Sequence, residues 1–261
     1  MGIMVERCVT GITGFDELCQ GGFVRNSENT LIGGPGSGKT TFMLQFLFNG
    51  ATKYNENGLY CSFEPDIVET LQDGLNFGWD FAKLNEQNKV KFLKFSPKTS
   101  IGDLKSELTK LISKYQIRRV CFDPISVFAM NLDDAGKMRD NLFELASLMK
   151  RLRVTSILAD EIIESNDFAD KNPPSTEIMQ FLTDSVTTLH ETPISGAGER
   201  AISIRKMRRT KNYRGIAGMN IIDTGIQVLR PADFRPTATP IPIPASGIQV
   251  VPASAVPATS K

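Results

Sequence analysis

The sequence predicts an α/β fold: a mainly parallel central sheet, helices on both faces and an antiparallel C-terminal edge. Three observations carry that expectation. Strand-like runs alternate with helical patterns from about Ser27 to about Leu182, which implies right-handed βαβ crossovers. After Asp184 the pattern changes to short strands with no helix between them. The chain has 261 residues, enough for one large α/β domain with a substantial core.

The first strand is NTLIGG, around Leu31, and an amphipathic helix from Gly38 to Lys53 follows it. GLYCSFE forms the second strand and ends at Glu64; Tyr60, Cys61 and Phe63 favour an extended chain. Proline at position 65 disfavours a helical Glu64, and Pro65 can itself open a helix running from Asp66 to Phe77. VKFLKFS, to Ser96, is the third strand. The helix from Ser100 to Tyr115 carries Leu104, Leu108, Leu111 and Ile112 on one face. RRVCFD is an apolar strand ending in Asp123. The helix from Ala135 to Arg153 repeats the stripe with Leu142, Leu145, Met149 and Leu152. TSILADE closes the alternating region at Glu161. SVTTLHE, RAISIRKMR, GMNII and GIQVL then read as an antiparallel extension at one sheet edge.

These elements place one domain over residues 1–230. The tail, residues 231–261, holds seven of the fourteen prolines and only three charged residues. Such a segment cannot bury enough apolar surface to offset its ordering entropy, so it reads as disordered or polyproline-II-like.

Composition narrows the function classes. Hydrophobic residues make up 41% and charged residues 23%, as in an ordinary globular protein. No apolar run reaches the roughly 18 residues a membrane helix needs, and MGIMVERCVTG does not read as a signal peptide. The four cysteines form no C-x-x-C pair, and a single histidine, His190, argues against a Cys/His zinc site. A cytoplasmic protein with reduced thiols is expected. Net charge is +1, yet Arg205 to Arg214 carries six cations and no acid, leaving −5 for the rest. That balance argues against a broadly basic nucleic-acid binder, and any polyanion must be met along this one stripe.

GGPGSGKT fits G-x-x-x-x-G-K-[ST] in full and lies between an apolar strand and a helix, the context that motif requires. Its phosphate-binding residues are Gly33, Gly34, Pro35, Gly36, Ser37, Gly38, Lys39 and Thr40, with Thr41 following in the helix. The glycines let backbone N–H groups wrap phosphates, and the helix N-terminus adds about half a positive charge. Lys39 reaches the β- and γ-phosphates, and the Thr40 hydroxyl ligates Mg²⁺. Asp123, at its strand end, is the carboxylate expected to hold the metal through a coordinated water. ATP and Mg²⁺ are the expected ligands. In the basic stripe, strand alternation puts Ile202, Ile204, Lys206 and Arg208 on one face, with Arg205 and Arg209 on the other. Lys206 and Arg208 can then clasp one phosphate, or serve only as charges that keep an edge strand from aggregating.

Taken in order, TGITGFDELCQGGF, GGPGSGKTTF, SFEPD, CFDPIS and KMRRT resemble a single-domain, archaeal-type KaiC-like ATPase of the RecA superfamily. The resemblance runs from roughly Val9 to Leu229. It implies a RecA-like P-loop fold and a homo-oligomeric ring, commonly a hexamer, with ATP held between subunits. Lys206 and Arg208 match the K-[LM]-R-G-T motif, whose cations act on the neighbour's γ-phosphate; Arg209 stands where that motif has glycine. Glu64 matches the first of two glutamates in the family pattern, the one that activates the attacking water, and Pro65 replaces the second. Glu161 matches a glutamate that helps position water or a partner subunit. Catalytic roles thus fall to Glu64, Lys39, Lys206 and Arg208. The phosphate-accepting Ser-Thr pair of the clock protein is replaced by Gln180 and Phe181, which argues against an autokinase.

A slowly hydrolysing, ring-forming regulatory ATPase is the leading expectation, with an unidentified protein partner left open. A non-hydrolysing ATP-binding switch, such as a motor-regulator subunit, is the alternative. A recombinase-like DNA-binding ATPase ranks third, because the segments after Asp123 and Glu161 are acidic on balance.

Overall fold

The computed structural model describes residues 5–63, 66–130, 134–161, 174–191 and 199–232. Glu64 and Pro65, and the tail from residue 233, lie outside the described residues. In chain order the elements begin with β1 (Arg7–Cys8), α1 (Phe15–Leu18), β2 (Phe23–Val24), β3 (Glu28–Gly33) and α2 (Lys39–Lys53). Then come β4 (Asn57–Ser62), α3 (Ile67–Asn76), α4 (Phe81–Glu86), β5 (Val90–Lys94) and α5 (Ile101–Tyr115). The chain continues through β6 (Ile117–Asp123), α6 (Ile125–Met130), α7 (Ala135–Arg151), β7 (Thr155–Glu161) and α8 (Pro174–Leu182). It closes with β8 (Ser185–His190), β9 (Arg200–Met207), β10 (Ile216–Ile222) and β11 (Gly225–Val228).

The expected α/β architecture is present. One nine-stranded sheet has the order β11-β10-β9-β8-β3-β7-β6-β4-β5, and β1 pairs with β2 separately. Strands β8 through β5 in that order run parallel, while β9, β10 and β11 join antiparallel. The antiparallel edge therefore starts one strand later than SVTTLHE suggested, because β8 pairs parallel to β3 with Gly33 opposite Leu189. A strand this buried on both faces carries no alternation from which its direction can be read.

Side-chain alternation divides the core in two. Tyr60, Cys121, Ile157 and Ala159 pack with Phe42, Met43, Phe46 and Leu47 of α2. Their neighbours Leu59, Cys61, Val120, Phe122 and Leu158 pack with α5 and α7 on the other face. The helix ends follow local chemistry. Ser100 caps α5 by accepting from the Asp103 N–H, and Gln116 ends it in a left-handed turn. Asp66 caps α3 by accepting from the Val68 N–H, so that helix starts at Ile67, one residue after the expected start. Arg153, at φ 53°, ends the α7 region two residues sooner than the hydrophobic stripe alone implies.

A buried ionic knot joins the N-terminal motif to this frame. Arg119 on β6 is fully buried, pairs with Glu56 at 2.6 Å, and donates to the carbonyls of Phe46 and Val9. A Cβ on Gly50 of α2 would stand 2.5 Å from the Arg119 side chain, so glycine permits the close approach. Among the described residues, no helix is long and apolar enough to cross a membrane.

Candidate nucleotide site

Parallel strands bring the motif residues to one edge of the sheet. Gly33 ends β3 opposite Glu161 at the end of β7, and Asp123 ends β6 opposite Ser62 of β4. Gly36 and Gly38 adopt φ 74° and 98°, a region L side chains rarely enter, and this lets the loop curl back over the strand end. Helix α2 then starts at Lys39 with no side-chain cap, leaving its first N–H groups for an anion.

The polar groups are poised but incompletely matched. Lys39 is 7% exposed; its Nζ donates to the Gly33 and Gly34 carbonyls at 2.8 and 3.0 Å and lies 3.6 Å from Glu161. The Ser37 hydroxyl oxygen is buried with no hydrogen-bond partner among the described residues. Thr40 Oγ1 donates to Asp123 Oδ2 at 2.8 Å, and the Tyr60 hydroxyl donates to the same oxygen. Burial pushes the Asp123 carboxyl above its ordinary range, while the Tyr60 and Thr40 donors and Lys39 pull it back. A cleft of about 280 Å³ opens here, lined by P-loop residues with Asp123, Glu161 and Ile221. The orphaned hydroxyl, uncapped helix and buried ammonium fit a polyphosphate. The Thr40 hydroxyl beside one carboxylate fits Mg²⁺, which takes few protein ligands and completes its shell with water and phosphate oxygens.

Three contributors to this edge carried no local signal in the sequence. Tyr60 reads there only as a strand former, yet its hydroxyl meets Asp123. Arg200 opens β9, and its Nε donates to the Gly36 carbonyl at 3.0 Å. Ile221 of β10 stands against Gly38, where an added Cβ would lie 3.1 Å from its Cδ1. All three arrive from distant strands by sheet pairing, so no spacing rule in the sequence could find them.

Lys206 and Arg208 lie elsewhere. The register of β9 on β8 shifts between Val186 and Thr187, so Lys206 pairs with Val186, Ile204 with Thr187, and Arg205 is the extra residue. This bulge corrects the expected alternation. Met207, not Lys206, joins Ile202 and Ile204 in the α2-side core. Lys206 turns to the opposite face, where its Nζ donates to the Gln180 and Thr183 carbonyls at 2.8 and 2.6 Å, at the C-terminal end of α8. Arg208 lies beside it, donating to the Phe181 carbonyl at 3.4 Å. The two cations thus project together as expected. Three residues of strand and two strand spacings separate Lys206 from Gly33, roughly 14 Å between backbones. Lys206 also faces away from α2, so this pair does not serve the P-loop of its own chain. Arg209, where the resembled motif has glycine, keeps φ 57°, a conformation costing an L side chain on the order of 1 kcal/mol.

The same far edge holds a buried acid. Glu28, whose side chain is fully buried, has its pKa raised from 4.5 to about 7. Burial is the main cause; Lys150, 2.9 Å away, opposes it and Asp184 adds to it. A raised carboxyl favours the folded state at low pH. Between about 4.5 and about 7 the unfolded chain loses this proton while the folded chain keeps it, so stability falls as pH rises. The loss attributable to Glu28 is on the order of 3 kcal/mol across that window. Glu28→Gln is expected to flatten the corresponding part of a Tm-against-pH curve; an unchanged slope would show that Glu28 ionises freely.

Comparison with known proteins agrees with this geometry. A family model described as "ATPase: KaiC" matches residues 8–233. The circadian clock oscillator protein KaiC of Synechococcus elongatus is 30% identical over 234 residues, covering 86% of this chain and 44% of that protein. Its counterpart in Prochlorococcus marinus subsp. pastoris is 28% identical over 245 residues, covering 90% and 47%. The chain therefore spans about half the length of the curated relatives it matches. A crystal structure of a KaiC-like protein from the archaeon Pyrococcus horikoshii OT3 superposes with a TM-score of 0.75 at 30% identity. That match covers 87% of this chain and 100% of the other.

Proposed function

This chain belongs to the KaiC ATPase family, and from that premise we propose that it is a ring-forming regulatory ATPase that binds MgATP and hydrolyses it slowly. One observation carries the reading. The phosphate cradle and the Lys206–Arg208 pair occupy opposite ends of the strands and opposite faces of one sheet. A cradle and a phosphate-directed cation pair that cannot meet within one chain can meet between two, which favours a homo-oligomeric ring with nucleotide at each interface; the hexameric number is what the family resemblance implies.

In this reading Gly33 to Thr41 hold the phosphates, and Lys39 exchanges its loop carbonyls for phosphate oxygens. Thr40 and Asp123 are the residues that would hold Mg²⁺. Bound ATP supplies the γ-phosphoryl group, and a Mg²⁺ held there would supply neutralisation of phosphate charge. Glu64 takes the proton of the attacking water, and Lys206 and Arg208 of the neighbouring subunit stabilise charge on the transferred group. Replacement of the second glutamate by Pro65 is the reason to expect slow turnover, and it keeps a non-hydrolysing switch as the second reading. Autokinase activity is not proposed: Gln180 and Phe181 cannot accept phosphate, and Ser175 and Thr176 nearby are 3% and 0% exposed. We place the domain over residues 1–230, in the cytoplasm.

ATP turnover and native mass measured on one purified sample, with and without Mg²⁺, test the proposal. Lys39→Ala is expected to abolish the nucleotide-induced rise in thermal stability. At 100 times the dissociation constant that rise is about 2.7 kcal/mol. An undiminished shift in the variant overturns the assignment.

A further inference from the structure

We propose that Asp184 is a positioning residue that gathers Arg208 and Arg209 into a cation pair presented to the neighbouring subunit's nucleotide. The inference rests on the ring reading above and adds a residue to it. Asp184 joins α8 to β8 and is itself fixed: its N–H donates to the Glu28 carbonyl at 2.8 Å, and its Oδ2 accepts from the Glu28 N–H at 3.3 Å. It is 6% exposed. From this anchor Oδ1 lies 3.8 Å from Arg208 and 3.6 Å from Arg209, and Oδ2 lies 3.5 Å from Lys150. The Arg208 N–H also donates to the Asp184 carbonyl at 2.9 Å. Arg7 of β1 holds the other side of this turn, donating to Thr210 Oγ1 at 2.7 Å and to the Arg209 carbonyl at 3.4 Å.

The distances decide the role. At 3.6 to 3.8 Å a carboxylate attracts a guanidinium without locking it in a hydrogen bond. The Arg208 and Arg209 side chains are about half exposed, so each can turn to a better acceptor. Asp184 shares one negative charge among Lys150, Arg208 and Arg209, with Lys206 alongside, so the edge stays cationic. Burial chiefly, and then the nearby Arg208 and Lys150, depress the Lys206 pKa, while Asp184 opposes them. Arg209 holds its strained backbone at a glycine position, which brings a second guanidinium to the same carboxylate.

The test uses the full chain with Asp184→Asn, measuring native mass, nucleotide-induced thermal shift and ATP turnover. Turnover is expected to fall about ten- to hundred-fold, as for a misplaced catalytic group, with ring mass and thermal shift unchanged. Mixed rings separate positioning from general damage. Asp184→Asn protein mixed with Lys39→Ala protein should regain activity, because Lys39→Ala subunits supply sound cations to intact cradles. Mixed with Arg208→Ala protein it should regain none. Wild-type turnover in folded Asp184→Asn rings, or recovery in the second mixture, overturns the inference. Asp184→Ser, whose hydroxyl can still accept the Glu28 N–H, should repeat the pattern; loss of assembly in both variants assigns Asp184 a purely structural part and also overturns it. If Arg208→Ala itself leaves turnover unchanged, the ring reading fails before Asp184 is at issue.

Discussion

Rings built from Arg208→Ala protein are expected to hydrolyse ATP about 10³- to 10⁵-fold more slowly than wild type, the range an arginine supplied across an interface contributes in related phosphoryl transfers. Nucleotide binding should survive, because Lys39, Thr40 and Asp123 sit at the other end of the sheet and touch neither Arg208 nor its supports. The bulge in β9 is what makes the prediction sharp. It turns Lys206 and Arg208 onto the face of α8 and away from α2, so no rotamer change brings them to the cradle of their own chain. Mixing then becomes diagnostic. A Lys39→Ala subunit has no working cradle but keeps its cations; an Arg208→Ala subunit has the reverse. In randomly mixed rings at equal amounts, roughly one interface in four joins an intact cradle to an intact arginine, so about a quarter of wild-type turnover should return. Full activity in an isolated monomer would rule out the composite site.

Glu64→Gln is the second large effect. A water-activating base contributes about 10²- to 10⁴-fold in rate, whereas a carboxylate that merely complements a helix terminus contributes about 0.3 to 1 kcal/mol of stability. Glu64 lies outside the described residues, but its neighbours bear on the choice. Strand β4 ends at Ser62 opposite Asp123, and the Phe63 N–H donates to the Asp123 carbonyl at 3.0 Å, so the chain leaves β4 beside the proposed metal ligand. The N-terminus of α3 already has its own carboxylate: Asp66 Oδ1 accepts from the Val68 N–H at 2.9 Å. A helix capped this way has less need of Glu64, which favours the base. Glutamine keeps the shape and removes the basicity. Expected are normal ATP binding and ring mass with turnover reduced at least a hundred-fold; wild-type turnover in assembled Glu64→Gln rings would reduce Glu64 to a strand-end carboxylate.

Much of this was legible because it is local. The octapeptide from Gly33 to Thr40 encodes its own geometry: glycines where φ is positive, a lysine and threonine opening a helix, and a strand ahead of them. Asp123 could be singled out as a strand-end acid because an apolar run preceded it. The parallel sheet followed from alternating strand and helix patterns, and the amphipathic stripes of α5 and α7 pointed to the face they bury.

What tertiary structure alone decided was the meeting of residues distant in sequence. Tyr60 reaches Asp123, Arg200 reaches Gly36, and Asp184 collects Arg208 and Arg209 only because particular strands are neighbours in a particular register. One extra residue at Arg205 reversed the face on which Lys206 stands, and nothing in RAISIRKMR marks it. The parallel direction of β8 was equally silent. Backbone conformation within a few residues is set by sterics and short-range hydrogen bonds that residue type encodes directly. Register and direction are set by the combined burial of many distant side chains, so the cradle and the cations Lys206 and Arg208 could be named from the sequence, while the face those cations occupy and their gathering at Asp184 had to be seen in the fold.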